Sequence, residues 1–140
     1  MYFFEDLTVG QVFENGPYEM SEAVIIEFAR AYDPQAMHTD PEAAKQMRFG
    51  KLIASGWHTA AATMKLMATS ALQIPGGMLG MGAEYIRWPI PTYVDDVLKT
   101  RITVREKRAS GSRPSHGIVT IDIRTLNQND QPVLEMATPL

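Results

Sequence analysis

Residues 57–72 read WHTAAATMKLMATSAL and contain neither glycine nor proline. Most of these residues favour a helix, and only Lys65 and a few hydroxyl groups interrupt the apolar character. A helix that is apolar on nearly every side is buried on most of its surface. We therefore predict that Trp57 to Leu72 forms a helix at the centre of the hydrophobic core.

Beyond Pro75, the chain changes from helical to β-rich character. The glycine-rich stretch from Gly76 to Gly82 is interpreted as a turn leading into a strand, because neither a helix start nor a Lys-Ser/Thr pair adjoins it. Alternating or β-branched residues then predict four strands that form an antiparallel meander: Met78–Trp88, Asp96–Lys107, His116–Asn127 and Pro132–Ala137. A buried helix wrapped by a curled antiparallel sheet is an α+β architecture of the hotdog type.

The segment before the central helix predicts one strand and two shorter helices. Gln11 to Met20 is interpreted as a strand or a turn-interrupted hairpin. Ser21 can cap a helix over EAVIIEFARAY, which ends at Asp33 because Pro34 follows, and Asp40 can cap a short helix that begins at Pro41. The first helix should turn one apolar face inward: Val24, Ile25, Phe28 and Ala29.

Length and composition exclude several classes of protein. With 140 residues and 45% apolar content, residues 1–140 are expected to form a single domain. A net charge of -3 gives no basic field for nucleic acid, and the absence of cysteine excludes disulfides and thiolate chemistry. No apolar run reaches the roughly 18 residues that span a bilayer. Since the acidic N-terminus is unlike a signal peptide, we expect a soluble cytoplasmic protein.

Neither a metal nor another cofactor is predicted. The three histidines stand at positions 38, 58 and 116, with no pair at the helical spacing typical of zinc sites. The chain has no Gly-x-Ser-x-Gly elbow and no phosphate-binding glycine loop. The chemistry must therefore come from side chains and backbone groups.

The stretch DPQAMHTDP, residues 33–41, places Asp33 and His38 five positions apart between two prolines that are expected to forbid a regular helix. Pro34 restricts its own φ and the conformation of Asp33, which suits groups that need precise placement. A histidine can orient or deprotonate water at neutral pH, and a neighbouring carboxylate can share that water. From spacing alone, a purely structural role for both residues is the alternative.

The start of the central helix is a second candidate. Ser55 can cap this helix, and the unpaired N–H groups of Gly56 and Trp57 can stabilise an oxyanion at its positive end. Gly56 has no side chain to block an approaching carbonyl. His58 is more plausibly structural than substrate-binding. Several methionines fit either the core or an acyl tunnel: Met37, Met47, Met64, Met67, Met78 and Met81.

In their order along the chain, four stretches resemble the MaoC-like dehydratase family, hotdog proteins that include the (R)-specific enoyl-CoA hydratases. They are FEDLTVGQVF; Asp33 to Pro41 continued by FGKLIASGWHTAA; YIRWPIPTYVDDVL; and SRPSHGIVTIDIRTLNQNDQPVLEM, and they cover nearly the whole chain. The family pattern Asp-x-Asn-Pro-x-His is matched at Asp33 and His38. Gln35 and Ala36 replace the usual Asn and Pro, and Asp95 stands where a Gly-Asp turn is usual.

The resemblance implies a lyase that hydrates trans-2-enoyl-CoA or dehydrates the 3-hydroxyacyl thioester. Asp33 and His38 would activate water, while Ser55, Gly56 and Trp57 would bind the thioester oxygen. The substrate would be attached to CoA or an acyl carrier protein, and the protein would be a homodimer whose contacts cover open strand edges. The alternatives are a hotdog thioesterase and a non-catalytic protein that binds acyl thioesters.

Overall fold

A computed structural model describes residues 1–113 and 115–140. The late stretch that carries the resemblance includes Pro114, which lies outside the described residues. Five antiparallel strands form one open sheet in the order β1-β3-β4-β5-β2, so the fold is α+β of the hotdog type, as predicted. The elements are β1 (Val12–Glu19), α1 (Glu22–Tyr32), α2 (Ala36–Thr39), α3 (Pro41–Lys45), α4 (Gly56–Ala68), β2 (Tyr85–Arg87), β3 (Val97–Ala109), β4 (Gly117–Leu126) and β5 (Pro132–Pro139).

The predicted meander holds for the last three strands only. β3 pairs with β4 and β4 with β5, but β2 lies at the far edge of the sheet against β5. The predicted strand Met78–Trp88 shrinks to Tyr85–Arg87, because flexible glycines precede it and Gly82 takes a φ of +129°. β1 is a single strand beside β3, irregular between Asn15 and Tyr18, so the hairpin alternative was wrong.

The central helix α4 is shorter and more exposed than predicted. It ends at Ala68 instead of Leu72, since the Ser70 hydroxyl bonds the Met67 carbonyl at 2.7 Å and accepts from the Leu72 N–H at 3.2 Å. The buried side of the helix consists of His58, Thr59, Ala62, Thr63, Leu66 and Met67. Trp57 and Met64 on the opposite side are 62% and 54% exposed. Burial on nearly every side was therefore a wrong expectation for the single chain.

The core consists of two clusters that meet along α4. Met67 packs with the inner face of the sheet, including Ile102 and Ile121, whereas Leu66 packs with Ile25 of α1 and Leu98. Each of these side chains is at least 96% buried and contributes roughly 1.5–3 kcal/mol relative to exposure. The two clusters fix α4 against the sheet on one side and against α1 on the other.

The helix caps on the N-terminal side follow the prediction. The Val24 N–H donates to the Ser21 hydroxyl at 3.4 Å, so Ser21 caps α1. Asp40 Oδ1 accepts from two N–H groups of α3, each at 3.0 Å. Throughout the described residues, no helix is both long and apolar enough to cross a membrane.

Candidate active site

Asp33 and His38 lie side by side, as the sequence predicted. Asp33 directly follows α1, where its N–H donates to the Ala29 carbonyl at 2.8 Å. His38 lies on α2, so the expectation that the prolines exclude helix from this stretch was wrong: one short turn fits between them. His38 Nε2 is 3.4 Å from Asp33 Oδ2, and the imidazole side chain is 6% exposed.

The backbone determines which nitrogen of His38 faces Asp33 as an acceptor. His38 Nδ1 is 2.7 Å from the Ile53 carbonyl oxygen, which can only accept a hydrogen bond. Nδ1 must therefore carry a hydrogen, and Nε2 of the neutral ring keeps its lone pair. The lone pair and the carboxylate oxygen, 3.4 Å apart, are both acceptors, so one water molecule beside them can donate a hydrogen bond to each.

Asp33 is held in its ionised form. Contact with the Ser55 hydroxyl lowers its pKa most, and the Gln35 amide, which donates to Asp33 Oδ1 at 2.7 Å, lowers it further. His38 acts in the same direction, while partial burial opposes all three. Gln35, one of the two departures from the family pattern, therefore supports the ionised carboxylate directly.

Ser55 precedes α4, but its side chain does not cap the helix. Its hydroxyl accepts from no helix N–H, so the prediction of a side-chain cap was wrong. The hydroxyl is fully buried and has no partner of good hydrogen-bond geometry among the described residues, although it lies beside Asp33. Because the first N–H groups of a helix have no acceptor within it, those of Gly56 and Trp57 remain available to a ligand.

A cleft of about 430 Å³ joins the two candidate groups. His38 and Gly56 both line it, whereas Asp33, Ser55 and Trp57 are outside its lining. No methionine considered for an acyl tunnel lines the cleft. A similar cleft beside β1 and β3 is lined by Glu14, Lys99 and amide side chains and offers no comparable acid–base pair. The remaining lining residues of the site cleft are Arg48, Phe49, Ile53, Ala54, Thr59, Trp88, Pro89, Ile90, Pro91 and Thr92.

Trp88 is a site residue that the sequence reasoning did not identify. Its indole N–H donates to the Gly56 carbonyl at 2.8 Å, and a Cβ at Gly56 would lie only 3.0–3.2 Å from indole atoms. Trp57 packs against the same indole edge to face, with ring centroids 5.3 Å apart. A tryptophan inside the segment YIRWPIP was the available signal, but only the fold brings it onto the start of α4.

His58 has the structural role that the sequence favoured. Its ring stacks on Phe28 with centroids 4.6 Å apart and an interplanar angle of 6°. Burial lowers its pKa, so the ring is neutral near pH 7. Within the described part of the chain, no group of three or more His, Asp and Glu residues is arranged to hold a metal ion.

Comparison with known proteins identifies the family of this chain. A family model described as MaoC like domain matches residues 5–125. The uncharacterized protein YdeM of Bacillus subtilis is 34% identical over 131 residues, covering 94% of this chain and 92% of the relative. The MaoC-like dehydratase of Rhodospirillum rubrum superimposes with a TM-score of 0.92 at 42% identity, covering 100% of this chain and 97% of that one. An unliganded R-hydratase from Pseudomonas aeruginosa has a TM-score of 0.80 at 26% identity, covering 97% and 82%.

Proposed function

This chain belongs to the MaoC-like domain family, and we propose that it is a lyase that hydrates trans-2-enoyl thioesters or dehydrates 3-hydroxyacyl thioesters. The observation that carries the proposal is the pair of Asp33 and His38, 3.4 Å apart, beside a cleft that also reaches Gly56. The solved relatives named as a dehydratase and an R-hydratase support this class of reaction.

In the proposed hydration, Asp33 and His38 hold one water molecule. The dyad removes a proton from this water, and the water oxygen forms a bond to C3 of the enoyl group. The electron pair of the C2–C3 double bond moves toward the thioester carbonyl, which gives an enolate. The negative charge moves to the thioester oxygen, where the N–H groups at the start of α4 stabilise it. The proton held by the dyad then passes to C2, and dehydration follows the same steps in reverse.

A panel of enoyl-CoA and 3-hydroxyacyl-CoA thioesters tests this proposal. The loss of conjugation absorbance measures hydration, and a thiol reagent in a parallel sample measures release of CoA. Hydration without thiol release is expected for the lyase. Thiol release would indicate a thioesterase in which the same pair directs water at the carbonyl carbon, and binding without either product would indicate a non-catalytic carrier of acyl thioesters.

We also propose that two copies associate. The exposed side of α4 carries Trp57 and Met64, and Leu79 and Met81, just before β2, are 83% and 57% exposed. The contact between Trp57 and Trp88 joins this apolar side to the end of β2, whose outer edge has no neighbouring strand within the described sheet. A second copy would cover both features. Sedimentation at micromolar concentration should give a dimer or a multiple of it, and a clean monomer would contradict the proposal.

A further inference from the structure

A chain of buried threonine hydroxyls runs from the sheet through α4 to the cleft. Thr59 Oγ1 donates to Thr92 Oγ1 at 2.9 Å, and Thr63 Oγ1 donates to the Thr59 carbonyl at 2.9 Å. Thr125 Oγ1 lies 2.6 Å from Thr63 Oγ1 and 2.9 Å from Thr100 Oγ1. All five side chains belong to residues no more than 3% exposed.

Counting hydrogens fixes the direction of this chain. A hydroxyl carries one hydrogen, and Thr63 uses its own on the Thr59 carbonyl, so Thr125 must donate to Thr63. The hydrogen of Thr125 is then committed, so Thr100 must donate to Thr125. The hydrogens of Thr100, Thr125 and Thr63 are thereby placed, and the Thr59 hydroxyl donates its own hydrogen to Thr92.

The Thr92 hydroxyl is left with a hydrogen to donate. It accepts the bond from Thr59, and no described residue accepts a hydrogen bond from it. Thr92 and Thr59 both line the cleft that contains His38. An alkyl chain in the cleft would leave this hydrogen without an acceptor, whereas an oxygen atom of a bound ligand would accept it.

Arg48 adds a positive charge to the same cleft. Its guanidinium lies 5.5 Å from the centroid of the Phe49 ring, and it has no ion pair with the described acids. Among the described residues that line the cleft, only Arg48 and His38 have side chains that can carry charge. Thr92 and Arg48 are therefore donors in a cleft whose other walls are mainly apolar.

We propose that this cleft selects an acyl group with a carboxylate, as in the monothioester of a dicarboxylic acid. Thr92 donates a hydrogen bond to a carboxylate oxygen, and Arg48 supplies the opposite charge. The inference rests on the proposed function, because it takes the cleft as the acyl-thioester site. A polar site rejects an apolar isostere strongly, since its donors are then left unpaired.

Binding of two saturated thioesters tests the inference without turnover. Succinyl-CoA and butyryl-CoA share the CoA moiety and a four-carbon acyl chain, and they differ in a terminal carboxylate against a methyl group. The chain has two tryptophans, Trp57 and Trp88, and both lie at the start of α4, so intrinsic fluorescence reports occupancy of the site. We expect succinyl-CoA to bind about 10-fold or more tightly. Equal affinity, or tighter binding of butyryl-CoA, would overturn the inference.

Four variants test which residues produce the preference for succinyl-CoA. Thr92→Val, which removes the hydroxyl, should reduce the preference for succinyl-CoA by about 10-fold or more, and Thr92→Ser should retain it. Thr100→Val removes a hydroxyl at the far end of the same chain and should leave the preference unchanged. Arg48→Met should weaken succinyl-CoA alone. Equal weakening of both thioesters would place Arg48 at the CoA phosphates and overturn the carboxylate assignment.

Turnover separates this inference from the proposed function. The unsaturated partners of the two ligands are trans-3-carboxyacryloyl-CoA and crotonyl-CoA, and we expect the first to be hydrated with the higher kcat/KM. If succinyl-CoA is preferred but neither unsaturated thioester is hydrated, the lyase is wrong and the selectivity stands. If both are hydrated without preference, the lyase stands and the selectivity is wrong. Failure of both saturated thioesters to bind would overturn the two together.

Discussion

The two ends of α4 differ in whether their polar groups have hydrogen-bond partners. At the C-terminal end, side chains satisfy four consecutive carbonyls: Thr69 bonds Lys65, Asn15 bonds Leu66, Ser70 bonds Met67 and Gln73 bonds Ala68, all within 2.7–2.9 Å. At the N-terminal end, Ser55 caps nothing: its buried hydroxyl lies beside Asp33 without good hydrogen-bond geometry, and His58 Nδ1 is buried without a partner among the described residues.

We interpret this difference as a contrast between a structural end of the helix and a proposed ligand-binding end. Buried polar groups are nearly always paired, because an unpaired one costs about 1–3 kcal/mol. The same helix has side chains to satisfy its last turn, so the open first turn does not result from a lack of polar residues nearby. The open end is also where His38, Trp88 and the cleft meet. We therefore propose that the N-terminal end of α4 is the end that receives the ligand.

The largest effect is expected at the dyad beside the open end. Asp33→Asn removes a charge and a base with little change of shape, and His38→Ala removes the imidazole. Each should lower kcat/KM for hydration by about 100- to 10,000-fold, the range that general acid–base groups contribute. Steady-state kinetics on the preferred enoyl-CoA measure this loss.

The double variant distinguishes one unit from two independent sites. If Asp33 and His38 act on the same water, the double variant should be little slower than either single variant. Multiplied losses would assign them to separate steps. Folded single variants with wild-type rates would make the pair structural and remove it from the mechanism.

Gly56→Val fills the open end itself. A Cβ added at Gly56 would lie 3.0–3.2 Å from the Trp88 indole, so valine must displace Trp88 and crowd the N–H groups at the start of α4. We expect a loss of about 100- to 1000-fold in kcat, as for removal of an oxyanion donor, with altered tryptophan fluorescence. Gly111→Val is the matched control, because a Cβ there meets no atom of the described residues within 4 Å. Full activity of folded Gly56→Val would exclude Gly56 from the site.

Ser70→Ala perturbs the satisfied end and should affect stability alone. The buried Leu72 N–H would lose its acceptor and the Met67 carbonyl its side-chain donor. We expect the free energy of unfolding to fall by about 1–3 kcal/mol, measured by urea denaturation, with kcat/KM unchanged. A loss of activity in the folded variant would mean that the two ends are coupled.

The sequence predicted most of the fold because local signals and burial agreed. Ser21 and Asp40 cap the helices to which they were assigned, and β3, β4 and β5 form the predicted meander. The prediction failed for β2, where alternation suggested a long strand and glycine conformation shortened it. It also failed for the end of α4, since a serine that turns the chain resembles any polar residue within a helix.

The site was predictable only in part, because two of its features depend on tertiary contacts. The spacing of Asp33 and His38 within a recognisable motif was enough to pair them. Ser55 had the usual identity of a cap, and only the structure places its hydroxyl beside Asp33 instead of on the helix N–H groups. Trp88 and Thr92 come from a distant segment, so no local pattern connects them to Gly56 or His38.

The smallest effect is expected for Ser55→Ala at the N-terminal end of α4, and it is measured through the pH dependence of activity. Contact with Ser55 is the main cause of the lowered pKa of Asp33, so its removal should raise that pKa toward its usual value near 3.9. Protonation of Asp33 removes the base, and the acid limb of the kcat/KM profile should therefore shift to higher pH.

The same substitution has a consequence for stability. A carboxylate whose pKa is lower in the folded protein contributes stability above its unfolded pKa and loses it as the pH falls through the folded value. Ser55→Ala reduces this contribution, so its free energy of unfolding should fall less than that of wild type on acidification through this range. Ser70→Ala changes no contact of Asp33, and its difference from wild type should stay constant over the same range. An unshifted acid limb together with parallel stability curves for Ser55→Ala would show that the Ser55 hydroxyl does not act on Asp33.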